Sequence, residues 1–179
     1  MEPEWVVSTS TTLEATLLRD ALDVAVLLNP IGDERLRLTP LGEQPTVWAA
    51  PTSWSLTATV GPQDLWGLPV ISNPPPSAMH RQIMGWFATK GPEPKRLNSC
   101  TSVAVIAELV AGEIGAGLLP LAMTVRHVQA GQMSVIKTSP TVENGRLFIG
   151  RRAGFEDLKA TAVTRVITRT LHTMDYLAR

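Results

Sequence analysis

The chain of 179 residues is 44% hydrophobic, enough for a buried core, and sets 16 Lys and Arg against 16 Asp and Glu. That balance leaves no excess positive charge to condense on a phosphate backbone, so nucleic-acid binding by this segment is not expected. A single cysteine, Cys100, excludes an internal disulfide and a multi-thiolate zinc site.

The first residues carry Glu2 and Glu4 where a secretory signal would be positive, and no run approaches the ~20 apolar residues of a membrane span. A cytoplasmic chain without membrane contact is the expectation. Glu4-Trp-Val-Val-Ser8 is apolar and β-branched and closes on Ser and Thr, the pattern of a buried strand. Thr11 and Glu14 stand at capping-box spacing, and Leu13, Leu17 and Leu18 form one apolar face, which predicts a helix ending near Ala21. Residues 23–28 are nearly all apolar and stop at Asn29-Pro30, predicting a central strand parallel to the first. Strand-like runs follow at 36–41 and 46–50. The stretch 51–62, rich in Pro, Ser and Thr, lacks periodicity and is expected to cross into a second lobe.

Alternation resumes with a strand at 68–71, the turn Asn73-Pro74-Pro75-Pro76 and a helix over 78–90 with Ser77 as N-cap. A short strand near 96–98 precedes a helix over 101–111, where Val105, Ile106, Leu109 and Val110 repeat at helical spacing. A strand at 117–120, a helix to about Gln129, strands at 133–137 and 146–151, and a last helix from Glu156 towards Tyr176 complete the chain. Strands alternating with helices predict an α/β fold.

Three stretches in this order carry a resemblance: Leu22-Asp-Val-Ala-Val26, Asp64-Leu-Trp-Gly-Leu-Pro-Val-Ile71 and Leu109-Val-Ala-Gly-Glu-Ile-Gly-Ala-Gly-Leu-Leu-Pro120. Val128-Gln-Ala-Gly-Gln-Met133 and Leu147-Phe-Ile-Gly-Arg151 add to it. The chain resembles the effector-binding domain of LysR-type transcriptional regulators. The resemblance implies a two-lobed fold like that of type II periplasmic-binding proteins, with mixed, mostly parallel sheets and two crossing strands. It divides the chain into a first lobe at 1–50, a second at 51–138 and a return to the first, with the terminal helix, at 139–179. Family domains normally begin with a strand and helix ahead of Pro3, so the pocket is expected to be truncated at that end. Glu113 stands where glycine is usual. By resemblance the chain senses a small polar or carboxylated effector and forms a homodimer or homotetramer. The helices over 13–21 and 78–90 would lie at the dimer contact, and DNA would be reached only through a separate N-terminal winged helix-turn-helix.

Ligands of open α/β sheets sit beyond the carboxyl ends of strands, where helix starts present amides. That rule selects Ser8, Thr9 and Ser10, then Leu28 and Asn29, then Ser72 and Asn73, then Thr101 and Ser102 as ligand-binding candidates. Each hydroxyl also has the plainer reading of a helix cap or turn residue. No cofactor, metal or catalytic residue is expected. His80, His127 and His172 are far apart without a zinc-helix spacing, and no Gly-x-Ser-x-Gly elbow occurs. Gly112-x-x-Gly115-x-Gly117 follows a helix and precedes a strand, the reverse of a dinucleotide loop, and reads as a helix end and turn. Cys100 reads as a small filler, and most of Trp5, Trp48, Trp54, Trp66 and Trp86 as core, with Trp54 in a polar loop as the exception. Two alternatives share the fold: a solute-binding component of a transport system, and a small enzyme using His80 or Asp23.

Overall fold

The structure is a computed structural model, describing residues 4–56, 58–154, 158–173 and 176–178. Two sheets organise it, the first wholly antiparallel and the second mixed. The first has three strands in the order β1 (Ala25–Leu28), β8 (Gly145–Arg152), β2 (Leu36–Gln44). The second has five: β5 (Arg96–Ser99), β4 (Pro69–Ser72), β6 (Ala116–Pro120), β3 (Thr46–Pro51), β7 (Met133–Ile136).

The helices are α1 (Ser10–Leu18), the single turn α2 (Pro62–Leu65), α3 (Ala78–Ala88), α4 (Val103–Ala111), α5 (Leu121–Gln129) and α6 (Leu158–Thr173). Leu13 and Leu17 of α1 pack with Ala25, Leu27 and Leu36 of the first sheet into a small core. The larger core lies around the second sheet, where Trp48, Trp86 and Phe87 meet at ring-centroid distances of 5.0–6.1 Å. Complete burial of side chains such as Leu65, Ile83 and Ile106 contributes about 1.5–3 kcal/mol each.

The chain passes between the sheets twice. β2 ends at Gln44 and β3 begins at Thr46, so the first crossing is at Pro45 and not in 51–62; residues 46–50, expected with the first lobe, belong to the second sheet. The second crossing lies between β7 and β8. The two are laced together: Thr46 N–H donates to Asn144 Oδ1, and Gly145 N–H donates to Thr46 Oγ1, both at 3.3 Å.

Several expectations are corrected. Among the described residues the ladders are four antiparallel and two parallel, both of the latter in the second sheet, so the strands pair in mixed but not mostly parallel fashion. The reason is connectivity: β3 follows β2 directly across Pro45 and runs against both of its neighbours, while β8 returns against β1 and β2. Residues 4–8 form no strand and leave Trp5 and Val7 exposed; an apolar run becomes a strand only where backbone partners stand beside it. Among the described residues β1 is consequently an edge strand without a parallel partner. The N-cap of α1 is Thr9, whose hydroxyl accepts from Thr12, and not Thr11; Glu14 turns away from the helix start and accepts from Ile31 and Gly32 N–H at 3.1 and 3.0 Å. α1 ends at Leu18, short of Ala21. Glu156, the expected start of the last helix, lies outside the described residues.

Trp48 and Trp86 are core, and Trp54 packs half-buried against it, whereas Trp5 and Trp66 are exposed. Gly112 caps α4, and Glu113 takes the left-handed conformation, φ 66°, that glycine would adopt more easily.

Candidate functional site

Between the sheets, beyond the tip of β1 and beside β6, is a cavity of about 250 Å³. Ser8, Thr9, Ser10, Val26, Leu28 and Leu147 line it from the side of the first sheet. Asn73, Ser77, Met79, Gln82, Val103, Leu119 and Met123 line it from the second. Gln44 and Thr46, at the first crossing, line it too, as do Leu171 and Tyr176 near the C-terminus.

Of the nine candidates read from sequence, Ser8, Thr9, Ser10, Leu28 and Asn73 border this cavity and the other four do not. Ser10 Oγ accepts the Leu28 N–H at 2.8 Å, fixing the strand tip to the start of α1. Asn73, only 6% exposed, donates through Nδ2 to the Cys100 carbonyl at 2.7 Å, which leaves its amide oxygen uncommitted among the described hydrogen bonds. Ser72 is fully buried and its hydroxyl donates to the Asn73 carbonyl. Ser102 is the N-cap of α4 and Thr101 is exposed at the preceding bend. Ser72, Thr101 and Ser102 thus serve the local backbone or lie exposed, and none of them lines the cavity.

Asn29 borders a second, more open hollow with Ile31, Arg81, Arg146 and Phe148. Its backbone, at φ 43°, and its side chain both bond the start of β8: Asn29 N–H donates to the Arg146 carbonyl and Arg146 N–H donates to Asn29 Oδ1. Arg81 of α3 donates to the Asn29 carbonyl at 3.1 Å, a direct tie between the two sheet systems. Gln82 beside it donates to the Glu143 carbonyl at 3.2 Å, and Trp86 Nε1 to the Pro140 carbonyl at 2.8 Å. α3 thus grips the second segment that joins the lobes and the loop after β1.

Sequence reasoning missed Gln44, Thr46, Met79, Gln82, Met123 and Tyr176. Gln82 and Met79 had a usable signal, since both fall within two turns of the Ser77 cap on a helix already aimed at the cleft. His80 and Asp23 border neither hollow; Asp23 is exposed just ahead of β1, at the end away from the strand tip. Among the described residues no group of three His, Cys, Asp or Glu could hold a metal ion, and no helix is long and apolar enough to cross a membrane.

Comparison with solved structures finds the same fold at low identity. A Corynebacterium glutamicum OxyR C206 mutant superposes with a TM-score of 0.76 at 17% identity, covering 97% of this chain and 56% of that one. The Synechocystis PCC6803 CcmR regulatory domain in complex with 2-PG gives 0.76 at 14% identity, covering 90% of this chain and 79% of that one. The BenM effector binding domain with its effector benzoate gives 0.65 at 18%, covering 94% and 78%. The chain spans little more than half the length of the OxyR chains it matches. No curated protein matches the sequence. A model of the LysR substrate binding domain matches residues 1–171, and the chain belongs to that family.

Proposed function

We propose that this chain is the effector-sensing and dimerisation part of a LysR-type transcriptional regulator, acting in the cytoplasm and binding a small metabolite between its lobes. A single observation carries the reading: one cavity is walled by the tip of β1 and the starts of four helices, drawn from both sheets, with Gln44 and Thr46 of a crossing segment between them. A guest there touches both lobes at once, so it favours whichever lobe arrangement fits it and shifts that population. BenM and CcmR, similar in fold, are described with benzoate and 2-PG bound, which supports a small-molecule guest here. With no acid-base pair among the described residues that line the cavity, the reading assigns binding and no turnover. DNA contact belongs to a winged helix-turn-helix elsewhere in the full protein, and the lobe arrangement is passed on through the subunit contact of a homodimer or homotetramer.

The test is a thermal-shift screen of the full-length protein and its Met123→Trp variant against cellular metabolites. A native-state ligand at 100 times its Kd adds about 2.7 kcal/mol. A metabolite that raises the Tm of the parent and not of the cavity-filled variant, and that alters operator binding, supports the reading. Equal shifts in both proteins would place the ligand outside the cavity.

A further inference from the structure

The geometry points to a second binding site on this chain: the open hollow bordered by Arg81 and Arg146, of about 410 Å³, takes a small phosphate monoester. The hollow shares no lining residue with the interlobe cavity, and the functional reading above makes no use of it. Its eight described lining residues include two guanidinium groups and no carboxylate.

Asn29 brings the two arginines together. Arg81 Nη2 donates to the Asn29 carbonyl at 3.1 Å, and the Arg146 backbone N–H donates to Asn29 Oδ1 at 2.8 Å. Among the described residues neither guanidinium enters an ion pair. The described bond of Arg81 is to a neutral carbonyl, and the Arg146 guanidinium has no described partner. Carboxylates at neighbouring positions are held by other donors. Glu14 accepts from Ile31 and Gly32 N–H, Asp33 from Arg35, and Glu43, opposite Arg146 in the register of β2 and β8, from Asn144 Nδ2. Two like charges around one concave surface repel each other and draw an anion between them.

The donors decide which anion. A guanidinium is a planar fork that matches two oxygens of one group. A phosphate monoester has three free oxygens and a charge of about −1.5 to −2 at neutral pH, so it can accept from a fork on each side. The organic body has a place as well. Pro30, Ile31, Leu38 and Phe148 stand among the lining residues, and Ile31, 70% exposed, offers apolar surface that a ring would cover.

The two sites adjoin through neighbouring residues: Leu28 and Gln82 line the cavity, and Asn29 and Arg81 border the hollow. A phosphate between Arg81 of α3 and Arg146 of β8 therefore spans the same two lobes as a guest in the cavity.

The experiment titrates the full-length protein and its Arg81→Gln, Arg146→Gln and Met123→Trp variants with phenyl phosphate, at neutral pH and low ionic strength, with phenol as the uncharged control. Binding is read by saturation-transfer NMR, and the folding of each variant by its melting transition. Arg146→Gln removes no described bond of the fold, since only the Arg146 backbone is used there. The parent should bind phenyl phosphate about 10-fold or more tighter than phenol, and each arginine variant should lose about 10-fold or more, the size of a charge-assisted hydrogen bond. Met123→Trp, which fills the other cavity, should bind as the parent does. No binding to the parent, phenol bound as tightly, or binding undiminished in a folded arginine variant overturns the proposal and leaves the cavity reading untouched. Loss of binding in a folded Met123→Trp also overturns it, by placing the ligand in the cavity.

Discussion

Ser10 and Leu28 are 18 positions apart, yet the Leu28 N–H donates to Ser10 Oγ at 2.8 Å, so the lip of the cavity is one hydrogen-bonded unit of helix start and strand tip. Removing the hydroxyl leaves a half-buried amide with no acceptor. Ser10→Ala should therefore cost about 1–3 kcal/mol and lower the Tm by roughly 2–12 °C, measured by calorimetry. An unchanged Tm would mean that water replaces the hydroxyl and that the lip is not held in this way.

Glu14 performs a comparable task from the interior face of α1. Its two carboxylate oxygens take the Ile31 and Gly32 amides while the residue is 7% exposed. Glu14→Ala strands both amides and should cost about 3 kcal/mol or more; Glu14→Gln keeps one acceptor oxygen and should cost about half of that. Urea unfolding of the two variants checks the ratio, and equal losses would show that only one of the two bonds matters.

These two side chains illustrate what the sequence disclosed. Ser77 and Ser102 cap their helices because capping is a local interaction, and the helices after them were legible from residues three and four apart. Ser10 as a cleft residue followed from the rule for strand ends. Glu14 was read into a local capping box, but its partners lie 17 and 18 residues away, in a loop without a pattern of its own. The strand expected at residues 4–8 shows the same limit, since composition records the apolar side chains and not the presence of a backbone to pair with. Thr46, Gln44 and Tyr176 reach the cavity only because the chain crosses at Pro45 and returns beside it, a long-range matter that periodicity does not encode.

Asp33 should titrate well below an ordinary carboxylate, at a pKa of about 2. The side-chain hydrogen bond from Arg35 is the chief cause, followed by the Arg35 backbone N–H. A depressed folded-state value means that the stabilisation is present above the unfolded value near 3.8 and fades as pH falls through 2. Carbon-13 NMR of the side-chain carboxyl reads the midpoint directly. Arg35→Ala should bring it most of the way back to the ordinary value, with the remainder held by the backbone bond.

Tyr176 offers a clean optical test because the chain has one tyrosine. Burial is the first cause of its raised value, and the Gln44 hydrogen bond partly opposes it. The folded protein should therefore ionise at 295 nm with a midpoint above 10, and Gln44→Ala should move it higher still. Since the folded-state value is raised, the associated stability holds below pH 10 and is lost as pH climbs through the folded-state midpoint. A midpoint at the ordinary value in the native protein would place the hydroxyl in solvent, outside the cavity.

Gly115 and Gly117 separate two kinds of close approach within one motif. A Cβ on Gly115 would stand 2.7 Å from the Pro69 carbonyl oxygen, part of the backbone of β4, and 3.1 Å from Ile71 Cγ1. A Cβ on Gly117 would meet the side chains of Ile106 and Val110 at 3.0 and 3.2 Å, and side chains can rotate where a paired strand cannot move alone. Gly115→Ala should accordingly cost about 2–3 kcal/mol, by forcing β6 away from β4, and Gly117→Ala about 1 kcal/mol. Chemical denaturation of the two variants ranks them. If Gly117→Ala proved the worse, the tight contact that sets the cavity wall would lie between α4 and β6 and not between the two parallel strands.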